Sequence, residues 1–147
     1  MRDDLPLSVT HEVRDRCLCL HLQRAARAIA RRFDEALRPV GLTNGQFSLL
    51  MALNRPEPPR IGDVAVLLAM DRTTLTANLK PLERRGLLEI VVDNGDRRGR
   101  RLQLTDAGRE RLAEALPVWR ATHDQVDAIL PDGDPDRLLG GLLALSR

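Results

Sequence analysis

The sequence predicts a mainly α-helical fold with one small β-hairpin, and two features of its 147 residues favour this class. Aromatic residues make up only 2% of the chain and tyrosine is absent, so a core must be packed from Leu, Ala, Val and Ile, which suits helices better than a β-sandwich. Apolar residues also recur every three or four positions over most of the chain, as in amphipathic helices, whereas only one stretch has the pattern of a hairpin.

The first predicted element is one long helix over residues 10–38. Thr10 can cap its start, and Pro39 and Gly41 end it. At roughly 28 residues it exceeds the usual length of a globular helix, so we expect it to pack against another chain or to span a whole domain. Its apolar stripe is formed by Leu18, Leu22, Ala25, Ile29, Phe33, Ala36 and Val40.

The second predicted element is a short helix that begins with a capping box. Thr43 and Gln46 have the spacing in which each side chain bonds the backbone amide of the other residue. The helix carries Phe47, Leu50 and Met51, and three prolines between residues 54 and 59 then predict a loop.

Two further short helices are separated by a tight turn. The first covers residues 61–68, and the second covers residues 72–85, with Asp71 as its cap and Gly86 at its end. Two short packed helices in this order indicate a helix-turn-helix, whose second helix fits the major groove of DNA.

A hairpin with an arginine-rich tip follows the two helices. Residues 87–92 and 101–104 are its predicted strands, and residues 93–96 begin the turn. This hairpin is a wing, so residues 42–104 are predicted to form one winged helix-turn-helix domain.

The remaining residues, 105–147, are predicted to be helical. Thr105 caps a helix that reaches residue 130 and is kinked at Pro117, and a short leucine-rich helix follows. This segment and residues 1–41 carry more apolar surface than one small lobe can cover. We therefore expect both to form the dimerisation module of a homodimer.

The exposed face of the helix over residues 72–85 carries groups that read DNA. Arginine can bond guanine bidentately, asparagine can bond adenine, and threonine can reach phosphates, bases and the thymine methyl group. The alternative is a solvated face whose threonines only cap the helix. The predicted DNA-binding residues of this helix are Arg72, Thr73, Thr74, Thr76, Asn78 and Lys80.

The hairpin tip supplies the second set of predicted DNA contacts. Its arginines repel one another unless an anion is near, and a narrow minor groove accepts inserted arginine. Asp96 is expected to orient Arg98 through a salt bridge. The alternative is a soluble turn. The predicted contact residues of the tip are Asp96, Arg97, Arg98 and Arg100.

The charge distribution weakly supports a polyanionic partner. The net charge is only +2, but residues 54–101 carry ten basic against seven acidic side chains, while residues 102–147 carry five against eight.

The motifs "LAMDRTTLTANLKPLERRGLL" and "DRRGRRLQLTDAG", followed by a long helix, resemble the MarR family of bacterial transcriptional regulators. The resemblance covers roughly residues 12–145. It implies a homodimer with winged helix-turn-helix lobes, in which residues 71–80 form the recognition helix and Asp96 and Arg98 form a wing pair. It also implies a regulator, expected to be a repressor, that binds a pseudo-palindromic operator and is released by a small ligand or an oxidant.

Within this family, Cys19 resembles the reactive cysteine of the organic-hydroperoxide-sensing branch, because it stands eight residues before Arg27. That branch places tyrosines around the thiol, and this chain has none; His21 or a nearby arginine could substitute. A thiol-based redox sensor is therefore one alternative. The other is that Cys17 and Cys19 are small residues buried in a packed helix.

The resemblance also implies an effector pocket between the dimer helices and the DNA-binding lobe, suited to a small aromatic or apolar molecule. The alternative is that its candidate residues are ordinary core. Cys17 and His21 share a helix face, but two ligands do not make a zinc site, so we predict no metal and no cofactor. The candidate effector residues are His21, Arg24, Phe47, Met51, Trp119 and His123.

Other function classes fit the sequence less well. It has no phosphate-binding or dinucleotide-binding glycine motif and no nucleophile with an orienting partner, so we predict that it is not an enzyme. A winged-helix module for protein contacts remains an alternative, which the arginine-rich tip disfavours. We expect a cytoplasmic protein, because only two cysteines are present and neither a signal peptide nor a membrane segment is visible.

Overall fold

The computed structural model describes residues 2, 4–131 and 133–146. These residues form two compact units, Met1–Arg32 and Phe33–Arg147. Seven α-helices and one two-stranded antiparallel sheet are present in the described chain, which confirms the predicted fold class. The elements are α1 (Leu7–Arg16), α2 (Leu18–Leu37), a 3-10 turn (Arg38–Val40), α3 (Asn44–Ala52), α4 (Ile61–Leu67), α5 (Arg72–Arg84), β1 (Leu88–Asp93), β2 (Asp96–Leu104), α6 (Asp106–Asp127) and α7 (Pro135–Leu145).

The prediction of one helix over residues 10–38 is wrong, because the structure divides this stretch into α1 and α2. The prediction of Thr10 as its cap is also wrong, because α1 begins at Leu7 and Thr10 lies inside it. The break lies at Cys17, whose backbone is extended, with φ −72° and ψ 99°. The sulfur of Cys17 accepts a hydrogen bond from the Leu20 amide at 3.4 Å and so satisfies a donor at the start of α2. The predicted apolar stripe begins only at Leu18, so hydrophobic periodicity did not show that residues 7–16 form a separate helix.

The core of the second unit is built mainly from leucine. Phe33 and Phe47 are the buried aromatic residues among those described. Burying one leucine side chain contributes roughly 1.5–3 kcal/mol to the free energy of unfolding. The largest fully buried side chains are Leu37, Leu49, Leu50, Leu53, Leu75, Leu79, Leu82, Leu88, Leu102 and Val64.

Helices α4 and α5 form the predicted helix-turn-helix. Val64 and Ala65 of α4 and Leu75 and Leu79 of α5 are all buried in this core. The turn between the helices contains Ala69, which has a φ of 51°. The core thus fixes the helix pair and leaves the other side of α5 exposed to solvent.

The hairpin differs from its prediction. We predicted a second strand over residues 101–104 after a long tip, but β2 begins at Asp96 and the turn contains only two residues, 94 and 95. Asp93 pairs with Asp96 and Val92 pairs with Arg100, so three residues of β2 have no partner on β1. The arginines therefore lie on an irregular strand instead of a loop.

Helix α6 begins where it was predicted to begin. Thr105 accepts a hydrogen bond from the Gly108 amide at 3.0 Å and donates one to the Gly86 carbonyl at 2.7 Å. The helix contains Pro117 and ends at Asp127, three residues earlier than predicted. No described helix is both long enough and apolar enough to cross a membrane.

Candidate nucleic-acid interface

The start of α5 is fixed by its cap. Asp71 accepts hydrogen bonds from the Thr74 amide at 2.8 Å and from the Thr74 hydroxyl at 2.7 Å. These two bonds lower the pKa of the Asp71 carboxyl below its usual value. The cap therefore stays ionised near neutral pH and holds the first turn of α5 in one orientation.

All six predicted DNA-binding residues of α5 are exposed, but their polar groups are not equally available. The Thr74 hydroxyl bonds the cap, and the Thr76 hydroxyl donates to the Arg72 carbonyl at 2.8 Å. Each of these two hydroxyls therefore has its hydrogen engaged and can only accept a further hydrogen bond. Within the described residues, the Arg72 guanidinium makes no hydrogen bond or ion pair, so it can turn towards a base.

The wing arginines divide into two kinds. The side chains of Arg97 and Arg98 have no polar partner in the described part of the chain. Arg100 donates to the carbonyls of Arg97 and Gly99, at 3.2 and 3.1 Å. The expected salt bridge between Asp96 and Arg98 is wrong: Asp96 accepts from the backbone amide of Arg98 at 2.9 Å, so the guanidinium of Arg98 is not held by it.

A cleft of about 620 Å³ lies between the start of α4, the first turns of α5 and the wing. Four arginines and two aspartates line it, so its net charge is positive. It brings together five of the predicted residues from α5 and the wing. These are Arg72, Thr76, Asp96, Arg98 and Arg100.

The sequence prediction missed Asp93, which was assigned only to the turn. Its side chain is 3% exposed and forms ion pairs with Arg60 at 2.9 Å and Arg101 at 3.1 Å. The Asp93-Asn94-Gly95 sequence does indicate a local bond, and the Gly95 amide donates to Asp93 at 3.1 Å. No sequence pattern indicates the pairing with Arg60, which lies 33 residues away.

Four predicted effector residues lie close together. The rings of Phe47 and Trp119 stack at 5.9 Å, and the ring of His123 lies 4.5 Å from that of Trp119. Phe47 is buried, while Met51, Trp119 and His123 are half-buried. An open groove of about 390 Å³ is lined by Phe47, Ser48, Met51, Ala52, Asn54, Arg55, Leu67, Leu68 and Trp119.

The cysteines and the other candidates, His21 and Arg24, lie in the first unit. Cys19, His21 and Arg24 are exposed and Cys17 is half-buried, so the interpretation of both cysteines as buried residues is wrong for the single chain. The side-chain amide of Gln23 donates to the Cys19 sulfur at 3.2 Å.

Comparison with known proteins gives matches over most of the chain. A model of the MarR family matches residues 40–99. The transcriptional activatory protein BadR of Rhodopseudomonas palustris is 34% identical over 115 residues, which are 74% of this chain and 65% of BadR. The match thus spans just under two thirds of BadR.

Solved structures match more completely. The M. tuberculosis transcriptional regulator MosR in complex with DNA is 36% identical with a TM-score of 0.81, over 88% of this chain and 93% of that chain. The transcriptional repressor CouR, bound to a 23-mer DNA duplex, is 32% identical with a TM-score of 0.82, over 92% and 96%. CouR bound to p-coumaroyl-CoA is 30% identical with a TM-score of 0.80, over 90% and 94%.

Proposed function

This chain belongs to the MarR family of DNA-binding transcriptional regulators, and from that premise we propose that it represses transcription by binding a pseudo-palindromic operator as a homodimer. Its relatives are regulators and not enzymes, as the sequence predicts. We propose repression because CouR, which matches 92% of this chain, is a repressor. BadR, which matches 74% of this chain, is an activatory protein.

The cleft between α5 and the wing carries the proposal for DNA contact. It places an unpaired arginine from each element, Arg72 and Arg98, on one positively charged surface. We assign Arg72 and the exposed polar residues of α5 to base edges in the major groove. We assign Arg97 and Arg98 to the phosphate backbone and the adjacent minor groove.

The homodimer proposal rests on exposed apolar surface at both ends of the chain. Leu7 and Val13 of α1 are each at least half exposed. The leucines of α7 are also exposed, and a monomer rarely leaves so many large apolar side chains of one helix uncovered. We propose that residues 1–41 and 105–147 form the dimer module and that residues 42–104 bind DNA. The α7 residues are Leu138, Leu139, Leu142, Leu143 and Leu145.

DNA binding is tested by fluorescence anisotropy with the duplex upstream of the protein's own gene and a scrambled duplex of equal composition. We expect preference for the upstream duplex and a steep loss of affinity with salt, because phosphate contacts release counterions. Equal binding of both duplexes at every salt concentration would contradict sequence-specific recognition.

Two variants separate base reading from backbone contact. Arg72→Ala should lose about 1–3 kcal/mol on the upstream duplex and much less on the scrambled one. Arg98→Ala should weaken both duplexes similarly and lower the salt slope by about one. Arg120→Ala is the charge-matched control, because Arg120 is exposed on α6 outside the cleft. If all three variants bind alike, these roles are wrong.

The effector site is proposed at the groove beside Trp119. Its apolar lining and the stacked Phe47 ring suit a flat aromatic group, and CouR has been solved with p-coumaroyl-CoA. Trp119 is the single tryptophan of the chain, so its fluorescence reports this site alone. Titration with p-coumaroyl-CoA should quench that fluorescence and weaken DNA binding; unchanged fluorescence would exclude this probe as the effector.

A redox-controlled repressor is the second candidate, favoured by the exposed Cys19 thiol and the Gln23 hydrogen bond to it. An organic hydroperoxide would oxidise the thiolate to a sulfenic acid and be reduced to the alcohol. Treatment with cumene hydroperoxide should then release DNA from the wild type and from Cys17→Ser, but not from Cys19→Ser. Release from all three proteins would exclude Cys19 as the sensor.

A further inference from the structure

We propose that Asp93 is a positioning residue for DNA binding, whose carboxylate fastens the wing to the segment before α4 by joining Arg101 to Arg60. The proposal rests on the DNA-binding function proposed above. Asp93 itself is buried and contacts no DNA; it acts by holding the strand that carries Arg97 and Arg98.

Both carboxylate oxygens of Asp93 are engaged. Oδ2 accepts from Nε of Arg60 at 2.9 Å, while Oδ1 accepts from the Gly95 amide and pairs with Nε of Arg101, both at 3.1 Å. These partners belong to three different segments: the loop before α4, the hairpin turn and β2. One side chain therefore joins the wing to the helix-turn-helix.

Backbone contacts at the same place show that the loop before α4 pairs with β2. The Leu102 amide donates to the Pro59 carbonyl at 2.9 Å, and Arg60 and Arg101 form an isolated β-bridge. The Arg101 guanidinium also donates to the Pro58 carbonyl at 2.7 Å. The Arg101 side chain is thus directed towards Asp93 and the loop before α4, whereas the side chains of Arg97 and Arg98 have no polar partner among the described residues.

Gly99, one of the three residues of β2 without a partner on β1, approaches Asp93 closely. A Cβ on Gly99 would stand 3.1 Å from Cβ of Asp93 and 3.2 Å from the Asp96 carbonyl oxygen. Only a residue without a side chain fits this approach comfortably. The path of the strand segment that carries Arg97 and Arg98 therefore depends on the side chain of Asp93, which Gly99 contacts.

The positive charge of the wing makes its conformation depend on the Asp93 carboxylate. The wing and the loop before α4 carry five arginines, and their mutual repulsion favours separation of the two strands of the hairpin. These arginines are Arg60, Arg97, Arg98, Arg100 and Arg101. The Gly95 and Arg101 hydrogen bonds lower the pKa of the Asp93 carboxyl, so it is ionised near neutral pH. Its negative charge offsets part of the repulsion at the point where the strands separate.

The decisive comparison is Asp93→Asn against Glu89→Gln. Glu89 is exposed on the same hairpin, and both changes remove one negative charge. Electrostatics alone predicts that both variants bind DNA slightly more tightly. The positioning role predicts that Asp93→Asn binds about tenfold more weakly with a lower salt slope, while Glu89→Gln does not weaken. Asp93→Asn binding as tightly as Glu89→Gln would overturn the proposal.

Hydrogen exchange without DNA tests the same claim independently of the proposed function. In Asp93→Asn the amides of Gly95 and Arg98 should exchange faster, while the amide of Leu82 in α5 keeps its protection. A merely structural role would raise exchange in both regions. Arg60→Gln, which changes a largely exposed side chain, should show the same local effect if Asp93→Asn folds poorly.

The outcomes are distinguishable. If wild-type protein binds no DNA but the wing amides exchange faster in Asp93→Asn, then Asp93 does anchor the wing and the proposed DNA-binding function is wrong. If wild type binds DNA and neither affinity nor wing exchange changes in Asp93→Asn, the anchor is wrong and the proposed function stands.

Discussion

Ala69 lies in the turn of the helix-turn-helix and has a φ of 51°, in the left-handed region of backbone conformation. This conformation costs a residue with a side chain roughly 1–2 kcal/mol, and glycine avoids the cost. The strain lies between α4 and α5, where the direction of α5 is set.

Ala69→Gly should therefore stabilise the fold by about 0.5–1 kcal/mol, because the relieved strain exceeds the entropy that glycine adds to the unfolded chain. Ala77→Gly is the matched control: Ala77 is exposed inside α5, where glycine costs about 1 kcal/mol. Urea unfolding measures both. The same sign of change for the two variants would contradict the strain at Ala69.

At the residue scale, the sequence predicts local chemistry well. Thr43, Asp71 and Thr105 were predicted as caps, and each accepts the expected backbone hydrogen bond. Thr10 was also predicted as a cap, but it lies inside α1. Capping depends on residues three positions apart, so the sequence contains all the information. The partners of Asp93 could not be predicted, because Arg60 reaches it only through the packing of the wing against the loop before α4.

At the scale of elements, hydrophobic periodicity predicted whether a segment is a helix or a strand better than it predicted the first and last residues of that segment. It located the helices of the second unit, because their apolar residues repeat at helical spacing. It did not predict the break at Cys17, which is a local backbone event stabilised by a sulfur contact. It also made β2 too short, because charged residues on an exposed strand look like a loop.

The irregular part of β2 gives an element-scale prediction. Gly99→Ala forces a Cβ against Asp93 and the Asp96 carbonyl, and such overpacking typically costs about 1–3 kcal/mol. The wing must shift to relieve it, so affinity for the upstream duplex should fall about tenfold. Because the shift of the wing relieves most of this strain, the melting temperature should fall by only about 2–4 °C.

Gly95→Ala is the control for this change. An added Cβ at Gly95 meets only an Asp93 oxygen at 3.7 Å, an ordinary contact. Its anisotropy titration should overlay that of the wild type. If Gly99→Ala binds as well as Gly95→Ala, the conformation of the wing does not control affinity.

At the scale of the whole molecule, the predicted winged helix-turn-helix architecture is confirmed. The assembly and the effector remain proposals, because they depend on surfaces that a single chain leaves exposed. The exposed apolar residues of α1 and α7 favour a partner that covers them, and a second copy placed by two-fold symmetry would also predict a pseudo-palindromic operator.

Dimethyl sulfate methylates guanine N7 in the major groove and adenine N3 in the minor groove. Footprinting of the wild-type protein on the upstream duplex with this reagent tests DNA recognition by α5 and the wing most directly. We expect two protected major-groove segments centred about one helical turn apart, each flanked by minor-groove protection from the wing, and related by a two-fold axis. Loss of only the flanking protection in Arg98→Ala would assign it to the wing. A uniform footprint, or the same footprint on a scrambled duplex, would contradict sequence-specific recognition by a symmetric pair of winged helices.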